Sequence, residues 1–219
     1  MFARIAQRYD LLNRLISLGF DQSLRRRMIA HLEGSTPQNL ADLGCGTGDV
    51  SILLAQRFPH SRILACDMTP AMIRVGKQRT QAENIHWVVC DSTRLPFETD
   101  QMDACLSAYL LRNVQALPDA LQEQARVTRP AGLFLALETT PPRSKLLYPF
   151  IWLYFHTVIP ILGWLVAGNP RAYRYLPASS LQFMPAEALS TLVGANGWSA
   201  AQVWRRFFGI MAIHKAVKS

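Results

Sequence analysis

The stretch Asp42-Leu43-Gly44-Cys45-Gly46-Thr47-Gly48-Asp49 constrains this chain more than any other part of it. It follows a short apolar run, Asn39-Leu40-Ala41-Asp42-Leu43, and precedes a helical pattern from Val50 to Phe58 that Pro59 closes. Glycines between a strand and a helix let the backbone turn sharply and bring N–H groups against a ligand. The helix N-terminus adds a positive field. Nineteen residues after Gly48 stands Asp67, at the end of a second strand-like run, Arg62 to Cys66. A carboxylate there can accept hydrogen bonds from both hydroxyls of a ribose. Dinucleotide folds pair G-x-G-x-x-G with an acid about 20 residues on. Here the spacing is G-x-G-x-G, so the cues point to a nucleoside without matching the nicotinamide fingerprint. A third cue, Cys90-Asp91-Ser92, ends the run His86 to Cys90, where a carboxylate and a hydroxyl would meet an adenine edge. Taken singly, these are an ordinary loop, a helix cap and a turn residue. In this order, at the C-terminal ends of successive strands, they mark the ligand crevice of an open α/β sheet.

The rest of the chain supports that architecture. Apolar positions recur at helical spacing through Ile5, Tyr9, Leu12 and Leu15, and again through Leu24, Met28 and Leu32, with Gly19 separating two helices. Thr69-Pro70 opens another helix, with Thr69 as the N-cap and Pro70 in the first turn. Met102 to Ala108 reads as a fourth strand and Pro118 to Val127 as a helix. Arg129-Pro130-Ala131-Gly132 ends that helix before a fifth strand, Leu133 to Leu137. Strands alternating with helices predict a parallel sheet. Pro185 to Ala195 is one more helix, stopped at Asn196-Gly197, and Trp198 to Phe207 with Ile210 to Ala216 forms a closing hairpin around Gly209.

Between Lys145 and Arg171 there is no Asp, Glu, Lys or Arg, and Leu146 to Ala167 is long enough to cross a bilayer as one helix. Pro149, His156, Pro160 and Gly163 count against a single helix. If the strands that follow join the same sheet, the chain cannot end on the far side of a membrane. Two short apolar helices that cover a greasy pocket or dip into a membrane surface fit better.

Half of the 219 residues are hydrophobic and 17% are charged, which excludes wholesale disorder. A net charge of +8 favours an anionic partner, or is simply a basic surface. The arginines fall in short groups such as Arg25-Arg26-Arg27, and the uncharged 146–170 segment is the wrong lining for a phosphate backbone, so nucleic acid is not expected. Cys45, Cys66, Cys90 and Cys105 form no C-x-x-C pair and read as buried reduced thiols, with no structural zinc. Met1-Phe2-Ala3-Arg4 lacks the apolar stretch of a signal peptide, and a cytoplasmic protein is expected.

These motifs resemble those of class I S-adenosylmethionine-dependent methyltransferases, and within them the UbiE/COQ5 family of quinone-biosynthesis C-methyltransferases. Phe2 to Asn13 resembles that family's opening F-x-x-x-A-x-x-Y-D-x-x-N, and Leu111-Arg112-Asn113-Val114 its R-N motif after the fourth strand. Ala172-Tyr173-Arg174-Tyr175-Leu176 with Ser179-Ser180 resembles its Y-x-Y-L-x-x-S motif. The chain departs from the family's F-G-x-R-N at Tyr109-Leu110-Leu111-Arg112-Asn113, where Leu110 replaces the glycine. In an ungapped match the family's cofactor-contacting serine falls on Ala108, with Ser107 one residue early.

The resemblance implies an α/β fold: a Rossmann-like, mostly parallel sheet of seven strands in the order 3-2-1-4-5-7-6. It implies a single domain over 1–219, with an N-terminal helical cap over 1–36 and a hydrophobic helical lid over 141–180. The implied cofactor is S-adenosyl-L-methionine, held by Gly44, Gly46, Thr47, Gly48, Asp67, Met68, Asp91, Ser92 and Ser107. The implied substrate is a lipophilic quinol or related ring, met by Tyr9, Asn13, Tyr173 and Tyr175, with methylation of another hydrophobic small molecule as the alternative. Trp152, Tyr154, Phe155 and Trp164 suit a lipophilic tail, and Arg143, Lys145, Arg171 and Arg174 suit a peripheral contact with the cytoplasmic face of a membrane. A homodimer is left open.

A sulfonium already activates its methyl group, so no metal is needed. Attack by an aromatic carbon requires the neighbouring phenol to lose its proton, hence a base or a phenolate stabiliser. Arg112 is the expected stabiliser, Asn113 the group that fixes the substrate oxygen, and Glu138 an alternative base. The structural alternatives are a surface arginine, a helix cap and a salt-bridged carboxylate.

Overall fold

Strand β1 (Asn39–Leu43) alternates Leu40 and Asp42 with Ala41 and Leu43, and all four are buried. Burial on both faces is the mark of a central parallel strand. The computed structural model, which describes residues 19–144, 146–161, 179–180 and 182–219, places β1 between β2 (Arg62–Asp67) and β4 (Met102–Ala108), parallel to both. Strand β3 (Ile85–Val89) adds to β2, and β5 (Thr128–Thr139) adds to β4, again in parallel. Strand β7 (Met211–Lys218) runs antiparallel between β5 and β6 (Trp198–Arg206). The seven-stranded order is β3-β2-β1-β4-β5-β7-β6, as the resemblance implies.

Helices cover both faces because successive strand residues point to opposite sides. On one side, Leu40, Ile63, Ala65, Leu106 and Leu135 pack against Leu24, Met28 and Ile29 of α1 (Phe20–Ile29) and against Val50 and Leu54 of α2 (Asp49–Arg57). On the other, Phe134 and Ala136 pack against Leu117, Leu121 and Ala125 of α4 (Leu117–Val127), which follows α3 (Pro70–Arg79) in the chain. Leu189 and Val193 of α6 (Ala186–Gly194) and Trp198 complete that side. Each fully buried side chain such as Phe134 or Leu106 contributes roughly 1.5–3 kcal/mol.

Three local expectations are corrected. Thr69 sits at the N-cap of α3 but makes no side-chain cap; Asp67 Oδ1 accepts from the Thr69 N–H at 2.7 Å instead. The fifth strand starts at Thr128, directly after α4, and Arg129 to Gly132 form an irregularity inside it. The reason is that Thr128 already pairs with Met102, while the next pair is Ala104 with Leu133. Cys45, Cys66 and Cys105 are buried as expected, but Cys90 is only half-buried.

Of the apolar segment, α5 (Tyr148–Leu153) runs into a π-helical turn, Tyr154–Val158. Pro149 lies in its first turn, where the missing N–H costs nothing. Phe155 and Ile159 are buried, whereas Phe150 is 68% and Leu153 53% exposed. Among the described residues no helix is long and apolar enough to cross a membrane. Trp164, Lys145, Arg171 and Arg174 lie outside the described residues, as does the first half, 1–18, of the expected N-terminal cap.

Candidate functional site

The chain leaves β1 through three glycines with positive φ: Gly44 at 64°, Gly46 at 56° and Gly48 at 88°. Side chains rarely adopt such angles, so the turn depends on glycine. Two of the three border a cavity of about 520 Å³ at the C-terminal ends of β1 to β4. That volume lies in the range of small-molecule sites. Asp67, Met68 and Thr69 form its wall after β2, and Cys90, Asp91, Ser92 and Thr93 after β3. Ala108, Tyr109, Leu110 and Asn113 to Ala116 form the wall after β4.

Gly44, Gly46, Asp67, Met68, Asp91, Ser92 and Asn113 are therefore brought together as the sequence implies. Asp67 Oδ2 accepts from the Gly46 N–H at 2.8 Å, so the same carboxylate braces the glycine turn and the start of α3. A carboxylate has about four lone-pair sites, which leaves capacity for ligand hydroxyls. Asp91 Oδ1 accepts from both the N–H and the hydroxyl of Thr93 at 2.9 Å, which fixes its orientation in a turn. Among the described residues the charged side chains on the wall are all acidic, although the chain carries +8 overall. This lining suits a cationic nucleoside and opposes a phosphate-bearing one.

Other nominated residues lie elsewhere. Thr47 and Gly48 sit behind the turn. Arg79 Nη1 donates to Thr47 O at 2.7 Å and to Thr47 Oγ1 at 2.9 Å, and its Nη2 reaches Asp49 Oδ1 at 2.7 Å. A β-carbon on Gly48 would lie 2.4 Å from Trp87 Cη2, so that glycine makes room for an indole. Ser107 faces the sheet side opposite Ala108, because neighbouring strand residues alternate. Its hydroxyl is buried without a hydrogen-bond partner among the described residues, and it is absent from the cavity wall. Tyr9, Asn13, Tyr173 and Tyr175 fall outside the described residues.

Arg112 and Glu138 are brought together, but to one another. Their side chains are 8% and 0% exposed, and Arg112 Nη1 forms an ion pair with Glu138 Oε1. Glu138 also accepts from the Thr139 N–H at 2.8 Å and from the Arg112 N–H at 3.3 Å. Neither residue is on the wall of the cavity. The pair anchors a short 3-10 turn, Leu111–Asn113, whose last residue does reach the wall.

Sequence reasoning passed over three features. Tyr109 has φ 63°, and the guanidinium carbons of Arg25 and Arg112 lie 5.1 and 5.2 Å from its ring centroid. Burial raises its phenol to about 12, so it remains a neutral donor, directed at Met211 Sδ 3.5 Å away. Asp42 is buried under the turn, and burial raises its carboxyl to about 7 against the opposing effects of Ser51 and Arg25. The Cys90 thiol lies below its ordinary range because it is hydrogen-bonded to Cys66, its neighbour on the cavity wall. No spacing rule exposes these contacts; only the Tyr109-Leu110 departure hinted that the loop is unusual.

Comparison with known proteins agrees with this geometry. The profile of the ubiE/COQ5 methyltransferase family matches residues 1–218. The ubiquinone/menaquinone biosynthesis C-methyltransferase UbiE of Desulfotalea psychrophila is 36% identical over 218 residues, covering 100% of this chain and 89% of that protein. The demethylmenaquinone methyltransferase of Thermus thermophilus is 37% identical, with 98% of each chain covered. In fold, the chain is similar to a chain of the solved complex containing the Haloferax volcanii Trm112 methyltransferase activator. The TM-score is 0.74 at 14% identity, over 100% of this chain and 97% of that one.

Proposed function

The chain belongs to the ubiE/COQ5 methyltransferase family, and from that premise we propose that it methylates a ring carbon of a lipophilic quinol at the cavity described above. The observation that carries the reading is the joining of two walls. The acidic wall after β2 and β3 suits the nucleoside of S-adenosyl-L-methionine, and the wall after β4 carries Asn113 toward an acceptor. The residues present fit that cofactor. Asp67 and Asp91 would accept from its hydroxyls and amino group, and Gly46 presents bare backbone to the cavity, a β-carbon there meeting Met72 Cε at 3.7 Å. When bound, the cofactor supplies an activated methyl group on a sulfonium.

The chain's own part is orientation and exclusion of water. Asn113 Nδ2 donates to Tyr109 O at 3.0 Å, which fixes the side chain on the cavity wall, and its amide is the group this reading sets against a ring hydroxyl. Arg112 and Glu138 are positioning residues in this reading: their buried pair holds the turn that carries Leu110 and Asn113. Tyr9, Asn13, Tyr173 and Tyr175 are proposed as acceptor-binding residues on the strength of the family motifs they match.

The acceptor's lipid tail has a counterpart in α5 and the residues on either side of it. Leu146, Phe150, Leu153 and Ile161 are 79, 68, 53 and 56% exposed, a surface suited to shallow membrane contact beside the basic flank at Arg143. The test of the function is mass spectrometry of quinone extracts from cells with and without the gene. The expected product of deletion is a quinone lighter by one CH2. Wild-type protein should restore the mass and Asp67→Ala should not. An unchanged quinone profile refutes the assignment.

A further inference from the structure

The strand order β3-β2-β1-β4 sets a direction along the cavity. A nucleoside held by Asp67 and Asp91 lies over the ends of β2 and β3, and its 5′ substituent must then cross the glycine turn of β1 toward β4. At that crossing stands Leu110. Its Cδ1, Cβ and Cγ lie 2.7, 3.0 and 3.2 Å from the position of a β-carbon on Gly44. Gly46, one step nearer the nucleoside end, meets nothing closer than 3.7 Å. Leu110 is thus seated directly on Gly44, with no room for a side chain between them, whereas a β-carbon on Gly46 would make only ordinary contact with Met72.

Leu110 is also held in place. The preceding Tyr109 N–H donates to Leu137 O at 2.8 Å, and Leu110 O accepts from the Asn113 N–H at 2.8 Å. Arg112, two residues on, is locked to Glu138. These bonds fix the backbone that carries the leucine beside Gly44. We propose that Leu110 is a specificity-determining residue: seated on Gly44, it limits the alkyl group that a bound sulfonium can carry to methyl. The inference rests on the S-adenosylmethionine reading above.

The test is calorimetry of two probes, S-adenosyl-L-methionine and S-adenosyl-L-ethionine, which differ by one methylene at sulfur. A methylene in a tight apolar site is worth about 10–200-fold in discrimination. Wild type should prefer the methyl compound by at least about 10-fold, and Leu110→Ala should narrow the preference to within about 3-fold. Leu110→Met keeps the volume and should keep the preference. Asp67→Ala should weaken both probes together and leave their ratio unchanged, which separates ribose binding from the steric limit. If Leu110→Ala is poorly folded, Leu110→Val supplies the intermediate ratio. A preference unchanged in Leu110→Ala and Leu110→Val, or absent in wild type, overturns the proposal. Failure of wild type to bind either probe overturns the cofactor reading and the proposal with it.

Discussion

Removing either member of the Arg112–Glu138 pair should damage stability before it damages chemistry. The two side chains are 8% and 0% exposed, so a lone survivor would be a charge without solvent. Breaking a buried pair in this way typically costs about 3–5 kcal/mol. After Arg112→Ala the carboxylate retains the Thr139 N–H at 2.8 Å, which places the loss near the lower end of that range. After Glu138→Ala the guanidinium loses its carboxylate and keeps the Tyr109 ring 5.2 Å away, so the loss should lie within the same range. Both are a large share of the roughly 5–15 kcal/mol that holds a domain together. Replacing both residues at once, by Arg112→Met with Glu138→Leu, removes both charges and should cost far less than the two single changes summed. Urea unfolding of wild type, the two single variants and the double variant gives the coupling directly. Methylation is then measured per folded enzyme, at a temperature where every variant is native. A direct catalytic role for Arg112 predicts a loss on the order of 100–1000-fold in turnover with cofactor affinity intact. Single variants within about 1 kcal/mol of wild type that nevertheless lose turnover to that extent would refute the burial argument.

Two further outcomes follow from the foundation of the glycine turn. Asp42 is held at about 7 in the folded protein against 3.8 for an ordinary aspartate, so the native state keeps a proton that the unfolded chain releases. Stability from this group is complete below about pH 4 and is lost as pH rises toward 7, by on the order of 4 kcal/mol at most. Asp42→Asn should gain on wild type across that window in unfolding titrations, and parallel curves would show that the group does not titrate there. Gly76 has a helical backbone, but a β-carbon on it would lie 2.4 Å from Trp87 Cη2 and 3.2 Å from Thr47 O. Gly76→Ala should cost about 1–3 kcal/mol by overpacking. In a Trp87→Leu background the same change should turn neutral or stabilising, because alanine is the better helix former; an equal cost in both backgrounds would exclude the indole as the cause.

The parts legible in the sequence were those that local chemistry dictates. Gly44, Gly46 and Gly48 announce a turn because their φ angles of 64°, 56° and 88° are steeply disfavoured for other residues. The short apolar runs announced buried parallel strands, and their ends located Asp67 and Asp91 at one rim. The family motifs added the strand order and the cofactor, which periodicity alone does not reach. Tertiary structure decided which way side chains face and with whom they pair. Ser107 and Ala108 are neighbours in sequence, yet only Ala108 reaches the cavity, since the pleat sends them to opposite sides. Arg112 and Glu138 were nominated separately, and 26 residues of chain return to join them as one buried pair. Leu110 looked like a lost glycine, but Gly44, 66 positions earlier, gives up the space the leucine fills. Backbone angle and hydrophobic period are properties of a few adjacent residues, whereas packing and charge pairing arise only when the sheet brings distant segments to the same few ångströms.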